Sequence, residues 1–238
     1  MIIIRYTLSI DVDCTAIEND SISTTTIPQS INEFGMELGK FKAINVEVKD
    51  GDVSHSEIWR PLITSKDKSF GIQIHPNKID SVLTNININV FEMPSIEEFI
   101  SKCDRILSVF SSIFPLPYGS RKLSSQCVTK EYSKRHVESR LKMKETLEEA
   151  EEVISWQRKM TTKLENTDQV AVEMGWINAN MIIDSKSAEF AGLYLQIGIA
   201  SILQLGAQST ILPEFTRMNE EIISTSRKQI SLFEDEND

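Results

Sequence analysis

From Ile2 to Asp13 the chain alternates, with Ile4, Tyr6, Leu8, Ile10 and Val12 on one face, and this period of two predicts a strand. A polar run to Thr26 reads as a loop. Pro28 can open a short helix carrying Ile31, Phe34 and Leu38, which Gly39 would end. Strand-like runs follow at Ala43–Lys49, Glu57–Thr64, Phe70–His75 and Ile79–Phe91. Asp50-Gly51, Lys66-Asp67 and Pro76-Asn77 separate them as turns. In the last run Ile86, Ile88 and Val90 alternate with asparagines, the pattern of a strand wet on one face.

The strongest helix signal lies at Ser95–Phe114. Ser95 and Glu98 have the spacing of a capping box, and Ile96, Phe99, Ile100, Cys103, Ile106, Leu107, Phe110, Ile113 and Phe114 form one apolar stripe. Pro115 and Pro117 stop it. The order then restarts. Leu123–Thr129 is a predicted strand, Lys130–Glu152 a charged helix loosened near Lys142, and Val153–Leu164 with Gln169–Ile183 a long hairpin around Asn166-Thr167-Asp168. Ser187–Leu205 is a predicted second buried helix, and Pro213 opens a last helix running to about Phe233. The expected fold is α+β. Two strand-helix-strands-helix halves, 1–117 and 118–212, share a mainly antiparallel sheet, followed by a C-terminal helix and acidic tail at 213–238.

Composition narrows the function classes. Hydrophobic residues make up 40% and charged residues 25%, an ordinary globular balance. The opening Met-Ile-Ile-Ile-Arg-Tyr is too quickly polar for a signal peptide. Glu189, Gln196 and Gln204 interrupt the apolar stretch Ala188–Ala207, which argues for burial in protein rather than a membrane span. Cys14, Cys103 and Cys127 are scattered, as are His55, His75 and His136, so neither a disulfide framework nor a metal site is expected, and no cofactor. A cytoplasmic location is expected.

The net charge of −10 disfavours a general nucleic-acid binder. Locally, Arg121–Lys144 holds eight Lys/Arg against Glu131 and Glu138, and Lys130, Lys134 and Arg135 are its candidate residues for weak contact with nucleic acid or another anion. Gly119-Ser120-Arg121-Lys122 is too short to cradle a phosphate and reads as a turn. Trp59, Trp156 and Trp176, with Met160, Met174 and Met181, are expected to fill core or line a hairpin. Arg60, ahead of Pro61, is either a ligand clamp or part of a packed edge strand.

Two short motifs carry chemistry. Asp11-Val12-Asp13-Cys14-Thr15 resembles the Asp-x-Asp-x-Thr nucleophile motif of haloacid-dehalogenase-type phosphatases. That resemblance implies a magnesium-dependent phosphohydrolase in which Asp11 attacks phosphorus and Asp13 shuttles the proton. The downstream acidic motif of those enzymes is missing, so no catalytic residue is assigned. Gln229-Ile230-Ser231-Leu232-Phe233 resembles the linear motif by which bacterial proteins grip the replication sliding clamp. It implies a pocket filled by Leu232 and Phe233, with Gln229 hydrogen-bonded at the rim and Glu234 to Asp238 as a solvated tail.

The order of elements, with Trp59-Arg60-Pro61, Ile72–Asp80 and Arg121-Lys122-Leu123, resembles a loosely defined group of uncharacterised bacterial proteins often carried on mobile elements. The architecture also resembles the duplicated saddle of TATA-binding proteins, without their basic concave face. The expected function is a non-catalytic intracellular protein-binding module. Its expected partner is the sliding clamp or another protein, in mobile-element maintenance or anti-phage defence. An immunity- or antitoxin-type module neutralising a basic target is the further alternative.

Overall fold

The computed structural model describes residues 1–49, 52–86, 92–129, 131–141, 156–164, 168–183, 186–201 and 211–234. Nine strands form one antiparallel sheet in the order β2-β3-β4-β5-β1-β6-β9-β8-β7. They are β1 (Ile2–Asp11), β2 (Met36–Lys49), β3 (Asp52–Ser65), β4 (Phe70–Ile74), β5 (Lys78–Thr84), β6 (Arg121–Thr129), β7 (Trp156–Lys163), β8 (Gln169–Ile183) and β9 (Lys186–Ser201). The helices are α1 (Asn19–Ser23), α2 (Ile27–Glu33), α3 (Ile96–Ser111), α4 (Lys134–Arg140) and α5 (Leu212–Ile230). The fold is α+β with a mainly antiparallel sheet and a C-terminal helix.

The alternation of β1 decides the layering. Tyr6, Leu8 and Ile10 are buried, and they belong to one hydrophobic core shared with Phe99, Ile100, Ile106 and Phe110 of α3 and Phe215, Met218 and Ile222 of α5. The Phe99 ring sits 5.8 Å from Tyr6 and 6.0 Å from Phe70. Core residues of α1, α2 and α4 (Ile22, Ile27, Ile31, Val137) join the same cluster, so the described helices all lie on one side of the sheet. Ser95 accepts from the Glu98 amide and Glu98 from the Ser95 amide, so the expected capping box is present.

Of the expected helix Ser187–Leu205, residues 187–201 lie instead in β9, a strand between β6 and β8, and residues 202–205 lie outside the described residues. Leu193, Leu195, Ile197 and Ile199 face the core while Tyr194, Gln196, Gly198 and Ala200 face away, a period of two that pairing with both neighbours enforces. Gly192 is required there, because a Cβ would meet the Thr129 carbonyl oxygen at 2.6 Å. Three smaller expectations also change. The run to Thr26 holds α1, built on Ile22. The helix at Pro28 ends at Glu33, where Gly35 (φ 70°) turns the chain, and Leu38 and Gly39 lie in β2. Of the strand expected at Ile79–Phe91, β5 covers Ile79–Thr84, and residues 87–91 lie outside the described residues. Of the expected helix Lys130–Glu152, α4 covers Lys134–Arg140; residues 130 and 142–155 lie outside the described residues.

Candidate functional site

The second face of the sheet carries no helix among the described residues, and the strand register lines up its side chains in rows. The middle row runs Thr64, Gly71, Val82, Thr7, Ser124, Gly198, Ala171, Thr161 from β3 to β7. All eight are small or β-branched. One flanking row holds Gln73, Asp80, Ser9, Lys122, Ala200, Gln169 and Lys163; the other holds Thr84, Arg5, Gln126, Gln196, Glu173 and Lys159. The face is therefore a low trough between two polar ridges, crossing the strands.

Hydrogen bonds order these ridges. Gln126 Nε2 donates to Gln196 Oε1 at 3.1 Å, and the Tyr194 hydroxyl donates to the same oxygen at 2.6 Å. Burial, followed by the Glu173 charge, pushes the Tyr194 phenol up to about 12, so it stays a donor at neutral pH. Asp80 gathers Ser9 Oγ (2.6 Å), Lys78 Nζ (2.6 Å) and His75 Nε2 (3.4 Å). Burial holds His75 below its ordinary value, and Asp80 opposes that. Lys159 pairs with Glu173 at 3.1 Å. Arg5 donates to Thr84 Oγ1 at 3.3 Å. Arg5, Lys122 and Lys163 face no carboxylate within 4.0 Å among the described residues.

Among the described residues, the candidate catalytic groups do not converge. Asp11 accepts from the Ser120 hydroxyl, and Asp13 accepts from the amide and hydroxyl of Thr15 at 2.9 and 2.7 Å. β1 lies between two antiparallel neighbours, not in the parallel sheet on which the Asp-x-Asp-x-Thr chemistry is set. No group of three His, Cys, Asp or Glu is placed to hold a metal among the described residues. Burial pushes the Cys14, Cys103 and Cys127 thiols up to about 12, which leaves them protonated and unreactive.

The described residues of the basic stretch do not share one surface. Arg121 is buried against Glu214 on the core side, while its neighbour Lys122 emerges on the bare face. Arg135 is exposed and Lys134 half-buried on α4; Lys130 lies outside the described residues. Arg60 is buried in β3, an interior strand. Its Nη2 donates to the Cys14 carbonyl at 2.7 Å and its Nε to the Ile74 carbonyl at 3.2 Å, so it clamps the chain's own backbone. Trp176 and Met174 are buried and Met160 is half-buried, whereas Trp59 is 53% exposed and lines the β2–β3 hairpin, with the Lys40 and Lys42 ammonium groups 5.0 and 5.7 Å from its ring. Side chains at 156 and 181 lie outside the description.

The C-terminal motif is split by the fold. Leu232 is 49% exposed, but Phe233 is 1% exposed, so the two side chains that the motif resemblance would send together into a partner's pocket are placed differently. Phe233 ends a 3-10 turn (Ser231–Phe233) and its ring lies 5.7 Å from Tyr132. Gln229 Oε1 is buried without a hydrogen-bond partner among the described residues. Residues 235–238 of the acidic tail lie outside the described residues.

The bare face was missed at the sequence level although its signal was there: Thr7 and Ser9 alternate with core residues, as do Gln196 and Gly198. Comparison of the chain with protein-family profiles, with curated proteins and with solved structures gave no match.

Proposed function

We propose that the protein is a non-catalytic protein-binding module that receives its partner on the bare face of the sheet. The observation that carries this reading is the one-sided layering: the described helices cover one face, and the other presents ordered polar ridges flanking a trough of small residues. Ordering of donors and acceptors before contact lowers the entropic cost of binding. Arg5, Lys122 and Lys163, which meet no carboxylate among the described residues, favour an acidic segment of the partner. We further read the sheet as two halves, 1–117 and 118–212, followed by 213–238. β1 and β6 lie side by side at its centre, and each half's remaining strands extend outward to β2 or β7.

A photo-crosslinking side chain placed at Ala171, an exposed position of the trough, tests the face inside cells. A discrete crosslinked protein is expected, absent when the same group sits at exposed Ser108 on α3 and absent in Arg5→Glu/Lys122→Glu. Equal labelling from Ser108 would remove the face from consideration.

A second reading concerns recruitment. Leu232 projects outward from the terminal turn, within a segment matching the sliding-clamp motif, and this favours the clamp as a partner reached through Gln229, Leu232 and Phe233. Titration of purified bacterial sliding clamp against the chain tests it.

A further inference from the structure

Among the described residues, the second half of α5 and the turn after it are held by few contacts. None of residues 223–232 is buried, and Ile230 alone among them packs partly against the core. Phe233 then enters the core, with its ring on Tyr132. The Tyr132 and His136 rings stack, with centroids 5.8 Å apart. His136 Nε2–H donates to the Phe233 carbonyl at 2.7 Å, and Arg140 Nη2 donates to the Glu234 carbonyl at 3.0 Å. One ring and two backbone carbonyls therefore moor the last turn to α4 and to Tyr132 just before it.

The mooring also has a cost. Gln229 Oε1, and Glu138 Oε1 on α4, are buried acceptors without a hydrogen-bond partner among the described residues. A buried acceptor left without a donor disfavours the arrangement that buries it. Helix α5 does not depend on this turn for its own packing, since its buried residues Phe215, Met218, Asn219 and Ile222 all lie in its first three turns.

We propose that Tyr132, His136 and Arg140 form an intramolecular latch that sequesters the Gln229–Phe233 segment and holds back its docking on a sliding clamp. The inference rests on the clamp reading given above. Phe233 cannot fill a foreign pocket while it fills this one, so the clamp binds only the fraction of molecules whose latch is open. The apparent affinity falls by that fraction.

The test uses the full chain and purified bacterial sliding clamp. His136→Ala/Arg140→Ala removes both carbonyl donors, and is expected to bind the clamp about tenfold more tightly than the parent chain, a difference of about 1.4 kcal/mol. Arg140→Ala alone removes an exposed side chain, leaves the core intact, and should give a smaller gain in the same direction. Adding Leu232→Ala/Phe233→Ala to the open variant should abolish binding. Equal affinity of the parent chain and both open variants would overturn the latch and leave the clamp reading standing. No binding by any variant, with melting curves showing them folded, would overturn the clamp reading itself, and the latch with it.

Discussion

Helices α3 and α5 sit side by side on the same face of the sheet but are attached by different physics. α3 buries Ile96, Phe99, Ile100, Cys103, Ile106, Leu107 and Phe110, a continuous apolar stripe. α5, three residues longer, buries only Phe215, Met218, Asn219 and Ile222. Polar anchors supply the rest. Glu214 meets Arg121 of β6, with side chains 10% and 1% exposed. Arg217 Nη1 reaches Asp168, itself 1% exposed, at 2.6 Å. Asn219 Nδ2 donates to Glu97 of α3 at 2.5 Å, and Asp104 of α3 accepts from the Ile211 amide at 2.8 Å. Apolar contact is tolerant of small shifts, whereas a buried ion pair is favourable in one geometry. α3 thus contributes adhesion, and α5 is fixed in register against both the sheet and α3.

Removing one anchor should break this division most visibly. Glu214→Ala leaves the Arg121 guanidinium buried and uncompensated, and should cost about 3–5 kcal/mol, read from denaturant unfolding. Replacing the pair together, Arg121→Met with Glu214→Leu, should recover most of the loss, because two apolar side chains need no partner. A double variant as unstable as the single one would mean that the pair itself, not the stranded charge, supplies the stability.

The same contrast explains which parts were readable in advance. α3 announces itself through local signals within one span: the Ser95–Glu98 box, a stripe at helical spacing, and Pro115 beyond it. β9 is equally apolar, but its outward positions hold small residues (Gly198, Ala200) that look neutral, so the run fits a helical stripe and a strand alike. Its neighbours β6 and β8 made the choice. The anchors of α5 join residues far apart in the chain, Arg121 with Glu214 and Asp168 with Arg217, and charge composition gives no hint of which pairs the topology unites. The bare face has the same character, since its rows exist only once nine strands are in register. At the tail, the motif at 229–233 is visible in the letters, while the pocket that receives Phe233 is built by Tyr132 and His136, about a hundred positions away.

Deleting a polar contact on α3 should be far milder. Ser95→Ala removes the acceptor for the Glu98 amide at the solvent-exposed start of the helix, and should cost about 1 kcal/mol in the same unfolding measurement. A loss matching that of Glu214→Ala would mean that α3 too depends on polar fixation.

The smallest expected effect involves the ionic group packed near α3. Asp67, in the β3–β4 turn, accepts from Ser65 Oγ at 2.5 Å and from the amide and hydroxyl of Ser69 at 3.1 and 2.9 Å. The Ser65 hydrogen bond is the main reason its carboxyl lies below the ordinary 3.8, with the Ser69 bonds adding to it against the opposing effect of burial. Its charge also helps hold a proton on Lys102 of α3, whose ammonium lies 4.6 Å from the Phe70 ring centroid and whose pKa burial lowers. A carboxyl depressed in the folded state stabilises the fold above its unfolded pKa, and that contribution disappears as pH falls through the lower folded value. Asp67→Asn should therefore lower Tm slightly at pH 7, with the gap to the parent chain narrowing below about pH 4 and closing near the folded pKa. The turn is exposed and its charge is screened by water, so the shift should be well below that of Ser95→Ala. A gap that widened on acidification would mean that Asp67 is held protonated in the fold, and the α3 side would then carry a buried ionic dependence of the kind assigned to α5.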